Sequence, residues 1–248
     1  MRLLKYMSNG ELSLTEYLIS DEKVPPYAIL SHTWQEGQEV TMEDLISNSG
    51  KDKTGYNKIQ FCAQQAQRDG LHYCWVDTCC IDKSSSAELS EAINSMFRWY
   101  QNSQRCYVYL SDVSIGASDG GVELHPRWRP AFEKSRWFTR GWTLQELIAP
   151  KSVNFFSEEG EWLGDKKTLG RILHEITGIP IQVLQGQSLL DFSTTERFSW
   201  AAKRQTTRAE DESYCLLGIF GIHLPLIYGE GRLSAMKRLL NEVEGPAM

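Results

Sequence analysis

The succession of apolar segments between residues 27 and 110 constrains this chain more than any other feature. Residues 27–31 (YAILS), 73–77 (YCWVD) and 106–110 (CYVYL) are short, nearly unbroken apolar runs, the pattern of strands buried on both faces. Between the first two, residues 55–68 put Ile59, Cys62, Ala63 and Ala66 on one helical face and stop at Asp69-Gly70. Between the second and third, residues 84–103 open on serines suited to cap a helix and carry Leu89, Ile93, Met96 and Tyr100 at helical spacing. Strand, helix, strand, helix, strand with short connections predicts an α/β fold, a parallel sheet flanked by helices, because parallel neighbours need a crossover between them.

Farther on, residues 111–128 are Gly-, Asp- and Ser-containing and read as a surface loop. Residues 139–148 are expected to form a helix closed by Pro150, and residues 152–156 (SVNFF) a fourth strand. From about residue 167 to 243 the pattern is mainly helical, punctuated at Gly178 and at Gly229 and Gly231. The expected organisation is an α/β core over residues 1–160 with a helical C-terminal extension over 161–248. A chain of 248 residues that is 41% hydrophobic has enough apolar surface for one large core.

Charge and cysteine usage narrow the function. A net charge of −6 argues against nucleic acid as the principal partner, which calls for a basic surplus. The opening MRLLKYMSNGELSL turns polar within ten residues, so no secretory signal is read, and no run approaches the roughly 20 apolar residues of a membrane span. The six cysteines sit in apolar periodic segments, as reduced core residues of a cytoplasmic protein do. Cys79 and Cys80 lie near His72 and Cys74, but no second ligand pair follows at zinc spacing, and no metal is expected.

Ligands of open α/β sheets bind where the loops at the carboxyl ends of parallel strands surround a crevice. Three polar clusters fall at such ends: Ser31 to Trp34, Asp77 with Asp82 and Lys83, and the loop before Arg136. On the helix expected at 139–148, Trp142 and Glu146 are four apart and share a face. An indole beside a carboxyl raises its pKa by desolvation unless Arg136 or Arg140 compensates. The plainer reading makes Glu146 a solvated helix residue paired with Arg140, His32 a structural hydrogen-bonder and Asp77 a helix cap, and spacing leaves both open. The mixed-charge run at 204–212 reads as a solvated face or as a latch over the core.

Four blocks, YAILSHTW (27–34), WVDTCCIDK (75–83), RGWTLQELIAP (140–150) and TTRAEDESYCLLGIFGIHLPLIYGEG (206–231), resemble the successive signatures of the fungal HET, or heterokaryon incompatibility, domain. They cover nearly the whole chain in family order. The resemblance implies programmed cell death on recognition of non-self, often at the N-terminus of a receptor with NACHT and WD-repeat modules, in cis or in trans. HET domains are in turn similar to TIR domains, which have a flavodoxin-like sheet and in several cases cleave NAD at the nicotinamide–ribose bond. There the key carboxylate lies in a block like SxWCxxEL; RGWTLQEL corresponds, with Gly141 and Thr143 in place of its Ser and Cys. The resemblance therefore implies a TIR-like NAD hydrolase activated by self-association. In it Glu146 is catalytic, Ser31, His32, Trp34, Asp77, Arg140 and Trp142 shape the nucleotide pocket, and NAD is a substrate rather than a cofactor. A non-enzymatic adaptor that kills by self-association and recruitment is the alternative.

Overall fold

A computed structural model describes residues 1–7, 11–116 and 127–245 of the chain. Residues 117–126 of the loop expected at 111–128, and the last three residues of the C-terminal extension, lie outside the described residues. The strands are β1 (Leu4–Tyr6), β2 (Leu12–Leu14), β3 (Ala28–His32), β4 (Tyr73–Trp75), β5 (Arg105–Tyr109), β6 (Val153–Phe156) and β7 (Trp162–Asp165). The helices of the core are α1 (Met42–Ile46), α2 (Thr54–Arg68), α3 (Ser86–Asn102), α4 (Arg129–Glu133) and α5 (Thr143–Ile148). Beyond β7 come α6 (Gly170–Thr177), α7 (Ile181–Leu184), α8 (Thr194–Ser199), α9 (Asp211–Tyr214), α10 (Leu217–Phe220) and α11 (Gly231–Glu244).

All seven strands form one sheet in the order β2-β1-β4-β3-β5-β6-β7. Its centre, β4-β3-β5-β6, is parallel, as the alternation predicts. The flanks are antiparallel: β1 pairs with β4 and β2 with β1 on one side, and β7 pairs with β6 on the other, so the whole sheet is mixed. These edge strands were not expected, and β7 carries the sheet to Asp165, past the boundary placed at residue 160. Every residue of β3 is buried, which is why Ala28–Leu30 reads as an apolar run rather than an alternation, with Ser31 and His32 as buried polar groups at its end.

Parallel partners in register share a face, so Leu30 and His32 point the same way as Tyr107 and Tyr109, and Ser31 with Val108 the other way. Tyr107 marks the first face as that of α2, since its hydroxyl donates to Asp69 Oδ2 at 2.6 Å just beyond that helix. Cys106 marks the second as that of α5, its Sγ reaching the Glu146 carbonyl at 3.8 Å. Helix α3 starts where its serines promised, Ser85 Oγ accepting from the Glu88 amide. Gly218 of α10 lets that helix lie directly on α3, because a Cβ there would collide with Phe97. One continuous apolar cluster runs from Leu3 through the sheet to Leu173, Leu217 and Leu239, so the C-terminal helices share the core.

Residues 135–150 depart from the helix expected over 139–148. Ser135 caps a 3-10 turn at Arg136–Thr139, Arg140 bridges to Gln205, and the α-helix begins only at Thr143. The break follows from backbone pairing with the C-terminal segment: Gln205 N donates to Thr139 O at 2.6 Å and Gly141 N to Gln205 O at 2.8 Å. The pairing holds Arg140 in an extended conformation, which a helical turn cannot include.

Candidate functional site at the tip of β3

Helix α2 crosses from β3 to β4 on one face of the sheet, and α3 crosses back to β5 on the other. The chain thus leaves β3 in one direction and arrives at β5 in the opposite one, which makes the carboxyl ends of β3 and β5 a topological switch point. Ser31, His32, Thr33 and Trp34 end β3 there, and Asp77 follows β4 close by.

Glu146 lies against this tip, only 5% exposed. Ser31 Oγ donates to its Oε2, and Ser31 in turn accepts from Trp137 Nε1 at 2.8 Å. The Tyr100 hydroxyl lies beside the same carboxyl and reaches the Leu30 carbonyl at 2.9 Å. Burial first, and then the negative charge of Asp77, push the Glu146 carboxyl up to about 8, against the opposing pull of Ser31, Tyr100 and the Arg204 charge. At neutral pH Glu146 is therefore mainly the uncharged acid. The solvated reading, with Arg140 as partner, does not hold.

On the other side of the strand tip, His32 Nε2 meets Asp77 Oδ1 at 3.1 Å, and Trp34 Nε1 donates to Asp77 Oδ2 at 3.0 Å. Burial raises the Asp77 carboxyl, but the His32 bond, the His32 and Lys83 charges and the Trp34 donor outweigh it and hold it below its usual value. His32 Nδ1 is buried with no hydrogen-bond partner, 3.7 Å from Glu39 Oε2. Lys58 of α2 ties this side together, donating to Glu39 Oε1 at 2.5 Å and to Thr33 O at 3.0 Å. Trp34 is 51% exposed, with Lys83 Nζ 3.7 Å from the centre of its ring. The capping role weighed for Asp77 gives way to a bridge between His32 and Trp34.

Residues 27–123 match the family model described as heterokaryon incompatibility protein (HET). Over that stretch the chain matches a HET domain. It is similar to the vegetative incompatibility protein HET-E-1 of Podospora anserina, 55% identical over 244 residues, which is 98% of this chain and 18% of that protein. The chain thus spans less than a fifth of that relative. No solved structure matches it. The matched stretch takes in Ser31, His32, Trp34 and Asp77 and ends before Glu146.

Two of the residues expected in the pocket turn away from it. Arg140 Nη2 donates to Thr207 Oγ1 at 2.8 Å, and Trp142 Nε1 donates to Asp211 Oδ2 at 3.2 Å, so both serve the C-terminal segment. Trp142 occupies the residue before α5, a full turn from Glu146, without a side-chain capping bond. Of the mixed-charge run, Arg204 is the residue nearest the chemistry. Its Nη1 donates to Arg140 O at 2.8 Å and Thr143 Oγ1 at 2.7 Å, while its buried Nη2 has no partner. The far end of α5 is held by Lys166, whose Nζ donates to Leu147 O at 3.2 Å and Pro150 O at 2.6 Å. Burial lowers the Lys166 ammonium to about 8.

Trp137, Tyr100 and Arg204 complete the surroundings of Glu146, and sequence reasoning had not placed them there. The signal available was Trp137 in the apolar stretch before Glu146 and Tyr100 on the inner face of α3. Two cavities of about 550 Å³ each open at the opposite rim, beside Arg105 at the start of β5 and Ser152 just before β6. No predicted site residue lines either of them. All six cysteines are buried free thiols, and no helix among the described residues is long and apolar enough to cross a membrane.

Proposed function

We propose that this chain is a HET domain, the death-triggering effector of a fungal non-self recognition system, and that it hydrolyses NAD when copies assemble. The family match and the relative's name support the first part. The observation that carries the second is the Glu146 carboxyl, desolvated and hydrogen-bonded to Ser31 at the switch point of a parallel sheet.

The chemistry asked of it is glycoside cleavage. The bond from ribose C1′ to nicotinamide N1 breaks, its electron pair leaves with neutral nicotinamide, and the positive charge develops on the ribose. Water then adds to C1′ and gives up a proton, yielding ADP-ribose. A carboxylate stabilises that charge or holds the ribose hydroxyls, and Trp34 offers an exposed indole on which a ring can stack. Glu146 is sealed and mostly protonated at rest, which agrees with a carboxyl uncovered and ionised only on assembly. The effector acts in the cytoplasm, with self-association and NACHT or WD-repeat modules, in cis or in trans, as its partners. NAD is a substrate, with no cofactor or metal required.

Nicotinamide release by the purified domain, clustered on a multivalent scaffold, tests the enzymatic part. Wild type is expected to release nicotinamide from NAD and Glu146→Gln to do so roughly 10²–10⁴-fold more slowly. Equal release by the two proteins removes the enzymatic reading. The closed network around Glu146 also favours a second reading, a domain that kills by self-association and recruitment alone. In that case toxicity in cells survives Glu146→Gln while cellular NAD stays constant.

A further inference from the structure

We infer that Arg136 and Lys83 form a phosphate-binding subsite at the β3–β5 switch point, suited to the diphosphate of a dinucleotide. The inference rests on the nucleotide reading above and assigns the part of the substrate that the Glu146 network does not address. Arg136 is placed by both strand tips. Asp112, just past β5, accepts from Ser135 Oγ at 2.7 Å and from the Arg136 amide at 2.8 Å, which fixes the turn from which the side chain leaves. The guanidinium then crosses to β3, Nη2 donating to Thr33 Oγ1 at 3.3 Å. Lys83 approaches the neighbouring residue from the loop after β4, its ammonium over the Trp34 ring. The two cations thus lie against successive residues just past the β3 tip, the end of such sheets at which ligands bind.

The charges around them leave both available. Asp77 is taken by His32 and Trp34, Glu39 by Lys58, and Asp112 by Ser135 and a backbone amide. Glu146 is held by Ser31 and sealed from solvent. Among the described residues, Arg136 makes no ion pair and meets only a neutral hydroxyl, and Lys83 rests on an aromatic face that leaves its N–H groups free to donate. In a chain of net charge −6, two cations that form no ion pair among the described residues, at a switch point and with Asp77 as the nearest charge to Lys83, favour an anionic ligand. A guanidinium matches the oxygen pair of a phosphate, and an ammonium supplies a second point charge.

The test is calorimetric binding of ADP-ribose, with nicotinamide riboside as the control that lacks the diphosphate and inorganic pyrophosphate as competitor. The wild-type domain is expected to bind ADP-ribose, to lose affinity as salt is raised and to release it to pyrophosphate. Arg136→Gln and Lys83→Gln are each expected to weaken ADP-ribose roughly five- to tenfold, leaving nicotinamide riboside and the melting temperature unchanged. The subsite is overturned if wild type does not bind ADP-ribose at millimolar concentration, if either variant binds it within twofold of wild type, or if nicotinamide riboside is weakened equally. Absent NAD turnover with intact diphosphate-dependent binding removes the hydrolase reading and leaves the subsite standing.

Discussion

Replacing Glu146 by glutamine makes the fold insensitive to a titration that otherwise weakens it. In the unfolded chain the carboxyl ionises near 4.5, whereas in the folded domain it holds its proton to about 8. Between those values the native state binds one more proton than the unfolded state, so stability falls as pH rises and levels off above the folded pKa. Each pH unit in that window is worth about 1.4 kcal/mol. From pH 5 to pH 8 wild type therefore loses roughly 4 kcal/mol through this one group. Glutamine has the shape of the protonated acid, can still accept from Ser31 and has nothing to ionise. Every other titrating residue is common to both proteins and cancels in the difference. Guanidinium unfolding at pH 5, 6, 7 and 8 is expected to show nearly equal stabilities at pH 5 and Glu146→Gln ahead by about 4 kcal/mol at pH 8. A gap that changes by less than about 1 kcal/mol over the series would mean that the carboxyl is already ionised in the native state, and burial would not be the dominant influence on it.

Two further substitutions probe how the C-terminal helices hold the core. Arg204→Ala removes both hydrogen bonds to Arg140 O and Thr143 Oγ1 and is expected to cost roughly 2–3 kcal/mol in urea unfolding, with faster amide exchange confined at first to residues 141–146; unchanged exchange there would break the link. Gly218→Ala drives a methyl group into Phe97 of α3 and is expected to cost about 1–3 kcal/mol, read as a lowered melting temperature; a neutral result would show that α10 can move off α3.

The centre of the sheet was legible because strands covered on both faces must be apolar throughout, and β3 and β5 are continuous runs of that kind. Helix α3 announced itself through its serine cap and an inner face ending in Trp99 and Tyr100. Strands β1, β2 and β7 were not legible, for they have three or four residues and are only partly covered, too short for a period of two to stand out. At the site, the strand-end argument placed Ser31, His32, Trp34 and Asp77 correctly at one tip, since it depends only on where strands stop. The partners of Glu146 escaped it because they are distant in sequence: Ser31 lies 115 residues away, and Trp137 reaches Ser31 across 106. Trp142 was assigned by helical spacing and Arg140 by the family resemblance, but the backbone pairing of Thr139 and Gly141 with Gln205 had already turned them toward a different neighbour.

Helix α5 is barely more than one and a half turns long, yet each end is gripped by a cation from elsewhere in the chain, Arg204 at the start and Lys166, directly after β7, at the finish. A rod fixed at both tips resists sliding and yields most easily to rotation about its own axis. Rolling is the one movement that would swing the Glu146 carboxyl out from under Ser31 without dismantling the sheet, and it could be driven from either bearing. A force arriving through the C-terminal helices, or one applied to the β6–β7 edge by a neighbouring copy, would then reach the same acid group.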